Sequence, residues 1–281
     1  MAGGSVLRAA LACSLLVLAG AASAKDWKTV VIGMEGGYDP YNLTDPSGKI
    51  VGFEPDLAMD VCARIKVECK IIPQDWDGMI PGLQAGKFDV IMDGMSITDE
   101  RKQTIDFSVP YANVPAALAT AKASPLAKLA GAGTLVNFDK DKAVGDATLK
   151  ALREALKGKT IGVQVSTTHA AFASNHLKDV ATIKEYKTTD ERDLDLKSGR
   201  IDAVLDDETE IAAMLGKDDA KDFTEFGPHL TGGDFGIGVG MGLRKSDADL
   251  TARFDTAIKA AIADGSVKKY SLKWFKIDTT P

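Results

Sequence analysis

Six short apolar runs constrain this chain most, because they fall into two sets of three and each set alternates with helix-like patterns. In the first set, Thr29-Val30-Val31-Ile32-Gly33, Lys70-Ile71-Ile72 and Val90-Ile91-Met92 have strand length. Between them Leu57, Val61 and Ile65 recur at helical spacing from Pro55 onward. A shorter helix turns Ile80 and Leu83 inward, with Asp77 as its cap and Gly86 ending it. The second set repeats the layout with Thr160–Gln164, Thr182–Tyr186 and Ile201–Leu205 as strands. Helices are predicted from Ser166-Thr167-Thr168 through Leu177 and from Glu191 to Gly199. The polar stretch Asp139 to Asp146 reads as a surface insertion, and helices over Asp247–Ala263 and Val267–Phe275 close the chain. Strands alternating with helices predict an α/β protein with mostly parallel sheets, whose ligands sit beyond the carboxyl ends of the strands.

Residues 1–24 carry Arg8, an apolar stretch from Ala9 to Ala21 and the small-residue ending Ala22-Ser23-Ala24, the pattern of a cleaved secretory signal peptide. The stretch is too short to span a bilayer, and Ala10-Leu11-Ala12 before Cys13 is a poor lipidation signal. Of 34 basic residues only Arg8 leaves with the peptide, so 33 remain against 40 acidic ones, a balance unsuited to a nucleic-acid partner. The remaining cysteines, Cys62 and Cys69, are seven positions apart. In an exported chain they read as a local disulfide; metal binding would require further thiols or histidines nearby, and free thiols are the other alternative. The run Gly236-Ile237-Gly238-Val239-Gly240-Met241-Gly242 invites a dinucleotide-loop reading, but G-x-G-x-x-G is incomplete in every register. An extended strand crossing between lobes suits it better.

The stretch from Asp89 to Arg101 joins a buried strand to a polar turn, with Gly94 permitting close backbone approach and one arginine behind it. With it come Gly33-x-Glu35-x-x-Tyr38-x-Pro40-Tyr41, Gly52-Phe53-Glu54-x-Asp56-Leu57, Trp76-Asp77-x-x-Ile80-Pro81-x-Leu83, Gly94-Met95-Ser96-Ile97-Thr98-x-x-Arg101, Gly162-Val163-x-x-Ser166-Thr167-Thr168, Gly199-Arg200-x-Asp202-Ala203 and Gly240-x-Gly242-Leu243-Arg244-Lys245. Together these resemble the periplasmic amino-acid-binding proteins of ABC importers, in the cluster of lysine/arginine/ornithine-, histidine- and opine-binding receptors. The resemblance spans essentially all of the mature chain. It implies a two-lobed periplasmic-binding-protein fold with two crossing hinge strands: residues 25–113 plus 233–281 as one lobe, 114–232 as the other. It also implies a monomer in the periplasm that delivers a small molecule to membrane permease subunits, with no cofactor, no metal and no catalysis.

Chemistry and resemblance converge on the same residues. A ligand carboxylate suits the Arg101 fork, with Ser96 and the helix opening at Thr167 and Thr168 supplying amides. Its ammonium needs acceptors, for which Asp207 and the Gly94 carbonyl are placed. Tyr38 and Trp76 stand where the family sandwiches the ligand side chain, a position that suits an aliphatic stem or a cation. Rival roles exist: Arg101 paired with Asp99 or Asp106, Asp207 as a cap for the helix at Glu208, Trp76 in the core, and Tyr38 as a turn residue. Glu35 and Asp93 add acids beside the stacking slot; counted with Asp207 against Arg101 they give minus two and favour lysine, arginine or ornithine. Gln164 replaces an apolar wall common among relatives, and His169 reads as a surface helix residue with a charge near neutral pH as its alternative. The Gly94-Met95-Ser96 sequence and the insertion before Lys159 point instead to the opine branch, and a cyclohexadienyl dehydratase-type enzyme is the catalytic alternative on this fold. A sensory ectodomain would carry membrane and cytoplasmic segments.

Overall fold

The structure is a computed structural model that describes Met1 and residues 25–281; the signal-peptide reading, Cys13 included, falls on residues outside that set. The chain first lays down β1 (Thr29–Met34), α1 (Phe53–Arg64), β2 (Glu68–Pro73), α2 (Met79–Gln84), β3 (Val90–Ile91), α3 (Asp99–Lys102) and β4 (Asp106–Phe107). It continues through β5 (Ala116–Ala121), β6 (Leu135–Asn137), α4 (Lys142–Ala155), β7 (Thr160–Gln164), α5 (Thr168–His176), β8 (Thr182–Tyr186) and α6 (Thr189–Lys197). After β9 (Ala203–Asp207), α7 (Glu208–Leu215) and β10 (Phe223–Thr231) it returns for β11 (Gly242–Leu243), α8 (Ala248–Ala263) and α9 (Ser266–Trp274).

Two large sheets result, beside a small antiparallel one formed by Gly37–Tyr38, Asn42–Thr44 and Ile50–Val51. The first has the order β2-β1-β3-β11-β4 and the second β8-β7-β9-β5-β10-β6. In each, the strand–helix–strand rounds read from the sequence form the parallel part, β2/β1/β3 and β8/β7/β9. Strands that arrive after the chain has changed sheets add antiparallel to it: β11 beside β3, and β5 beside β9. The chain passes between the sheets twice. The two passages touch where Val239 bridges Ala112, and Val239 bridges Ser96 as well.

Several local expectations are corrected. Asp77 is exposed and caps nothing, and a 3₁₀ turn over Trp76–Gly78 precedes α2; Ile80 turns inward with Leu83 as expected, partly buried against the cluster that also holds the fully buried Met79. The supposed insertion at 139–146 is the entrance of α4, where the Asp141 side chain accepts the Val144 amide. Its polar residues belong to a cap and a solvated first turn, which look like a loop when read by composition. The helix expected from Glu191 begins at Thr189, because Thr188 caps it through the Glu191 amide. In the glycine-rich run only Gly242 enters a ladder strand. Gly236 and Gly238 take φ of 76° and 115°, and before Gly242 the run is held by isolated bridges at Val239 and by backbone bonds to its neighbours at Ile237, Gly238, Gly240 and Met241. The Cys62–Cys69 disulfide forms, tying the end of α1 to the start of β2 with Cα atoms 6.1 Å apart.

Candidate functional site

Both parallel triplets point their carboxyl ends at one another, and between them lies a narrow, largely closed cleft. All eleven residues singled out from the sequence line it: Glu35, Tyr38, Trp76, Asp93, Gly94, Ser96, Arg101, Gln164, Thr167, Thr168 and Asp207. A twelfth, His169, corrects the surface assignment. It is 5% exposed, on the first turn of α5, with its ring packed near Phe235.

One end of the cavity presents positive charge and free amides. Arg101 makes no ion pair with Asp99, Asp106 or any other described carboxylate. Its guanidinium instead donates to the carbonyl of Ser96 at 2.9 Å and, across the cleft, to that of Ser166 at 3.1 Å, and it lies 5.4 Å from the Trp76 ring centre. Desolvation lowers its pKa to about 10, against smaller opposing pulls from Glu100 and Asp207, which still leaves it charged at neutral pH. Ser96 sits between the ladder bonds made by the Ile97 and Gly240 amides, so its own amide is not spent on that pairing. Across the cleft the Thr167 hydroxyl caps α5 through the Ala170 amide and donates to the Gln164 carbonyl, which spends its one donor hydrogen. The amides of Thr168 and His169 precede the first intrahelical bond and are ready-made anion donors.

The other end is acidic. Asp93 is 1% exposed; its Oδ1 accepts the Glu35 amide and the Asn42 side chain, and its Oδ2 has no partner. Burial, then the nearness of Glu35 and Glu54, holds its carboxyl well above the ordinary range. Glu35 is half-buried and raised to about 7, chiefly by desolvation; the Gln164 amide, donating to both its oxygens from across the cleft, opposes the rise. Glu54 behind them is raised to about 7 by burial, although it accepts Tyr111, the Gly94 amide and Asn42. The formal count of minus two therefore overstates the negative charge here at neutral pH: part of it is held as protons that a cation can displace.

Between the two ends Tyr38 joins the sheets. Its hydroxyl reaches Asp206 at 2.7 Å and Asp207 at 3.0 Å, and one ring face is stacked on Tyr41 at 5.1 Å. Gly94, at φ 58°, is required here because a Cβ would lie 2.6 Å from the Tyr38 ring. Trp76 also crosses the cleft, donating from its indole to the Val165 carbonyl. Asp207 precedes α7 but makes no side-chain cap, which leaves it to the cavity. Beneath it Asp206 is anchored by Arg192, a fully buried guanidinium that also holds Asp193 and Glu210. Burial alone would raise Asp206; the charges of Arg192 and His169 instead bring it below its usual value. Sequence reading missed Asp206, Arg192 and the role of Glu54. The adjacent acids closing β9 were the one available signal, whereas Arg192 sits in a charged stretch that looks like a solvated helix face.

The chain is similar to known proteins over most of its length. A model of the bacterial extracellular solute-binding proteins, family 3, matches residues 30–277. The octopine-binding periplasmic protein of Rhizobium meliloti is 41% identical, over 98% of this chain and 99% of that protein. The L-arginine-binding protein of Pseudomonas aeruginosa is 35% identical, over 97% and 96%. Among solved structures, an ancestral arginine-binding protein bound to arginine superposes with a TM-score of 0.74 at 31% identity, over 88% of this chain and 98% of that one. A periplasmic family-binding protein from Silicibacter pomeroyi in complex with lysine gives 0.72 at 30% identity, over 90% and 99%.

Proposed function

The chain belongs to the bacterial extracellular solute-binding proteins, family 3, and from that membership we propose that it is a periplasmic receptor for a zwitterion with a cationic side chain, of the lysine/arginine/ornithine type. It hands this ligand to the permease subunits of an ABC importer and performs no chemistry on it. The observation that carries the reading is the polarity of the cavity: the unpaired Arg101 at one end and the buried acids Glu35 and Asp93 at the other. The α-carboxylate meets Arg101 and the α5 amides, the ammonium meets Asp207 and the Gly94 carbonyl, and the cationic tip meets Glu35 and Asp93. Trp76 and Tyr38 flank the stem.

The lobes divide at 113/114 and 232/233, close to the bridge between Ala112 and Val239. Because the ligand's groups are shared between lobes, binding favours the closed arrangement that Tyr38, Trp76, Gln164 and Arg101 already span. The 41% identity to an octopine-binding protein favours a second reading, an opine built on a basic amino acid. A dehydratase site would want an apolar pocket for a cyclohexadienyl ring, and three acidic side chains line this one.

A thermal-shift panel of lysine, arginine, ornithine, histidine, glutamine and octopine, run on the wild type and on Arg101→Ala, tests the proposal. Stabilisation of the wild type that grows with ligand concentration and is restricted to the cationic or opine members is expected. Arg101→Ala should lose it. No shift with any member, or an unchanged shift in the variant, would refute the assignment.

A further inference from the structure

Three carboxyl groups from distant segments converge at the acidic end of the cavity: Glu35 just after β1, Glu54 in α1 and Asp93 just beyond β3. Among the described residues every hydrogen-bond partner of these carboxyls is a neutral group, and Asn42 is the partner that Glu54 and Asp93 share. Asn42 is fully buried on the short strand Asn42–Thr44 and does not itself line the cavity. Resting on the receptor reading above, we infer that Asn42 is a positioning residue for specificity: it holds Asp93 with one oxygen left to the ligand, and thereby sets the preference for a cationic over a neutral side chain.

The surroundings of Asn42 dictate the orientation of its carboxamide. Its Oδ1 accepts the Gly36 amide at 2.7 Å, so the Nδ2 end must face the acids. The two hydrogens of Nδ2 go one to Glu54 Oε2 and one to Asp93 Oδ1, both at 2.8 Å. Asp93 Oδ1 also takes the Glu35 amide at 2.9 Å, which leaves Oδ2, the oxygen without a partner, to the cavity. With two donors on Oδ1, Oδ2 is the atom that either holds the proton of this carboxyl or meets a cation. Through the Gly36 amide the same side chain also steadies the turn that carries Glu35. Its donors favour the ionised form of both acids, against the burial that disfavours it. Without Asn42 the Glu35 amide alone would hold Asp93, and a cation would find an acid that is less firmly aimed and harder to ionise. A neutral side chain gains nothing from that charge and so loses little.

L-Arginine and L-citrulline have nearly the same shape and differ in the charge of the side-chain tip, so the ratio of their affinities reads the preference directly. Calorimetric titration at pH 8 of the wild type, Asn42→Ala, Asp93→Asn and the double variant with both ligands tests the inference. The wild type should favour arginine by at least about 30-fold, and Asn42→Ala should cut that ratio about tenfold while citrulline affinity changes less than about threefold. In the Asp93→Asn background, where no charge is left to position, Asn42→Ala should change the ratio less than about threefold. An unchanged ratio, equal losses for the two ligands, or the full further loss in the Asp93→Asn background would overturn the positioning role while leaving the receptor standing. A wild type that binds neither ligand, or both equally, would overturn the receptor reading instead. Should circular dichroism show that Asn42→Ala does not fold, Asn42→Ser, which keeps one donor hydrogen, should cut the ratio in the same direction by a smaller factor, and an unchanged ratio there would overturn the role.

Discussion

Replacing Glu35 by Gln removes a charge while keeping an oxygen for Gln164 to meet, so it isolates what that charge does for a cation. Two unit charges about 4 Å apart attract by about 4 kcal/mol at the effective permittivity of a partly buried site. Glu35 delivers only part of this at neutral pH, because its carboxyl titrates at about 7, and Asp93 stays beside it. A loss of about 2 kcal/mol, some 30-fold in Kd for L-arginine at pH 8, is therefore expected. The sign of the pH dependence follows from the same group. A cation binds the deprotonated form, so acidification through pH 7 must first remove a proton, and wild-type affinity should weaken towards pH 5 by up to about tenfold per unit. The variant's affinity should change much less over that range. Titration calorimetry from pH 5.5 to 8, repeated in two buffers of different ionisation enthalpy, reads both quantities: near pH 7 the wild type should release a fraction of a proton on binding and Glu35→Gln distinctly less. A change below about threefold at pH 8, or the same loss for neutral glutamine as for arginine, would refute the role given to the acidic end.

Arg192→Met should destabilise the second sheet's half, because it strands Asp193, Asp206 and Glu210 without their buried counter-charge; a cost of about 3–5 kcal/mol and a Tm lower by on the order of 10 °C are expected, shrinking as pH falls and the carboxylates protonate. A calorimetric Tm within 2 °C of wild type at pH 8 would show that the cluster is not what holds that half together. Reduction of the Cys62–Cys69 bond should cost about 2 kcal/mol, a modest sum because it closes a short loop. An unchanged melting temperature together with two titratable thiols would contradict it.

The two strand–helix rounds were legible because each strand is a compact apolar run and each helix has a period of its own: β7 and β8 have the bounds the sequence predicts, and α8 differs by one residue. Boundaries failed where a cap decided them. Thr188 and Asp141 each hold an amide three residues on, and such a bond leaves only a polar residue to be seen in the sequence. The site was legible for a related reason. Its residues cluster at strand ends and helix starts, where polar side chains interrupt apolar runs.

The sequence by itself determined the two strand–helix rounds and the closing helices, and it supplied every acid, base and aromatic ring that lines the cavity, since these follow from local periodicity and side-chain chemistry. Tertiary structure alone decided which of those groups are already spent. Thr167 is engaged by its own helix, Tyr38 by Asp206 and Asp207, and Gln164 by Glu35, whereas Arg101 meets only carbonyls and no carboxylate, and Asp93 Oδ2 and His169 Nε2 have no hydrogen-bond partner. It also turned His169 from an expected surface position into a buried one, because the neighbours that exclude water from it, Asp206, Asp207 and Phe235, lie 37 to 66 residues away along the chain. Hydrogen-bond saturation and desolvation depend on such distant neighbours, and they set which atoms are left to recognise a ligand.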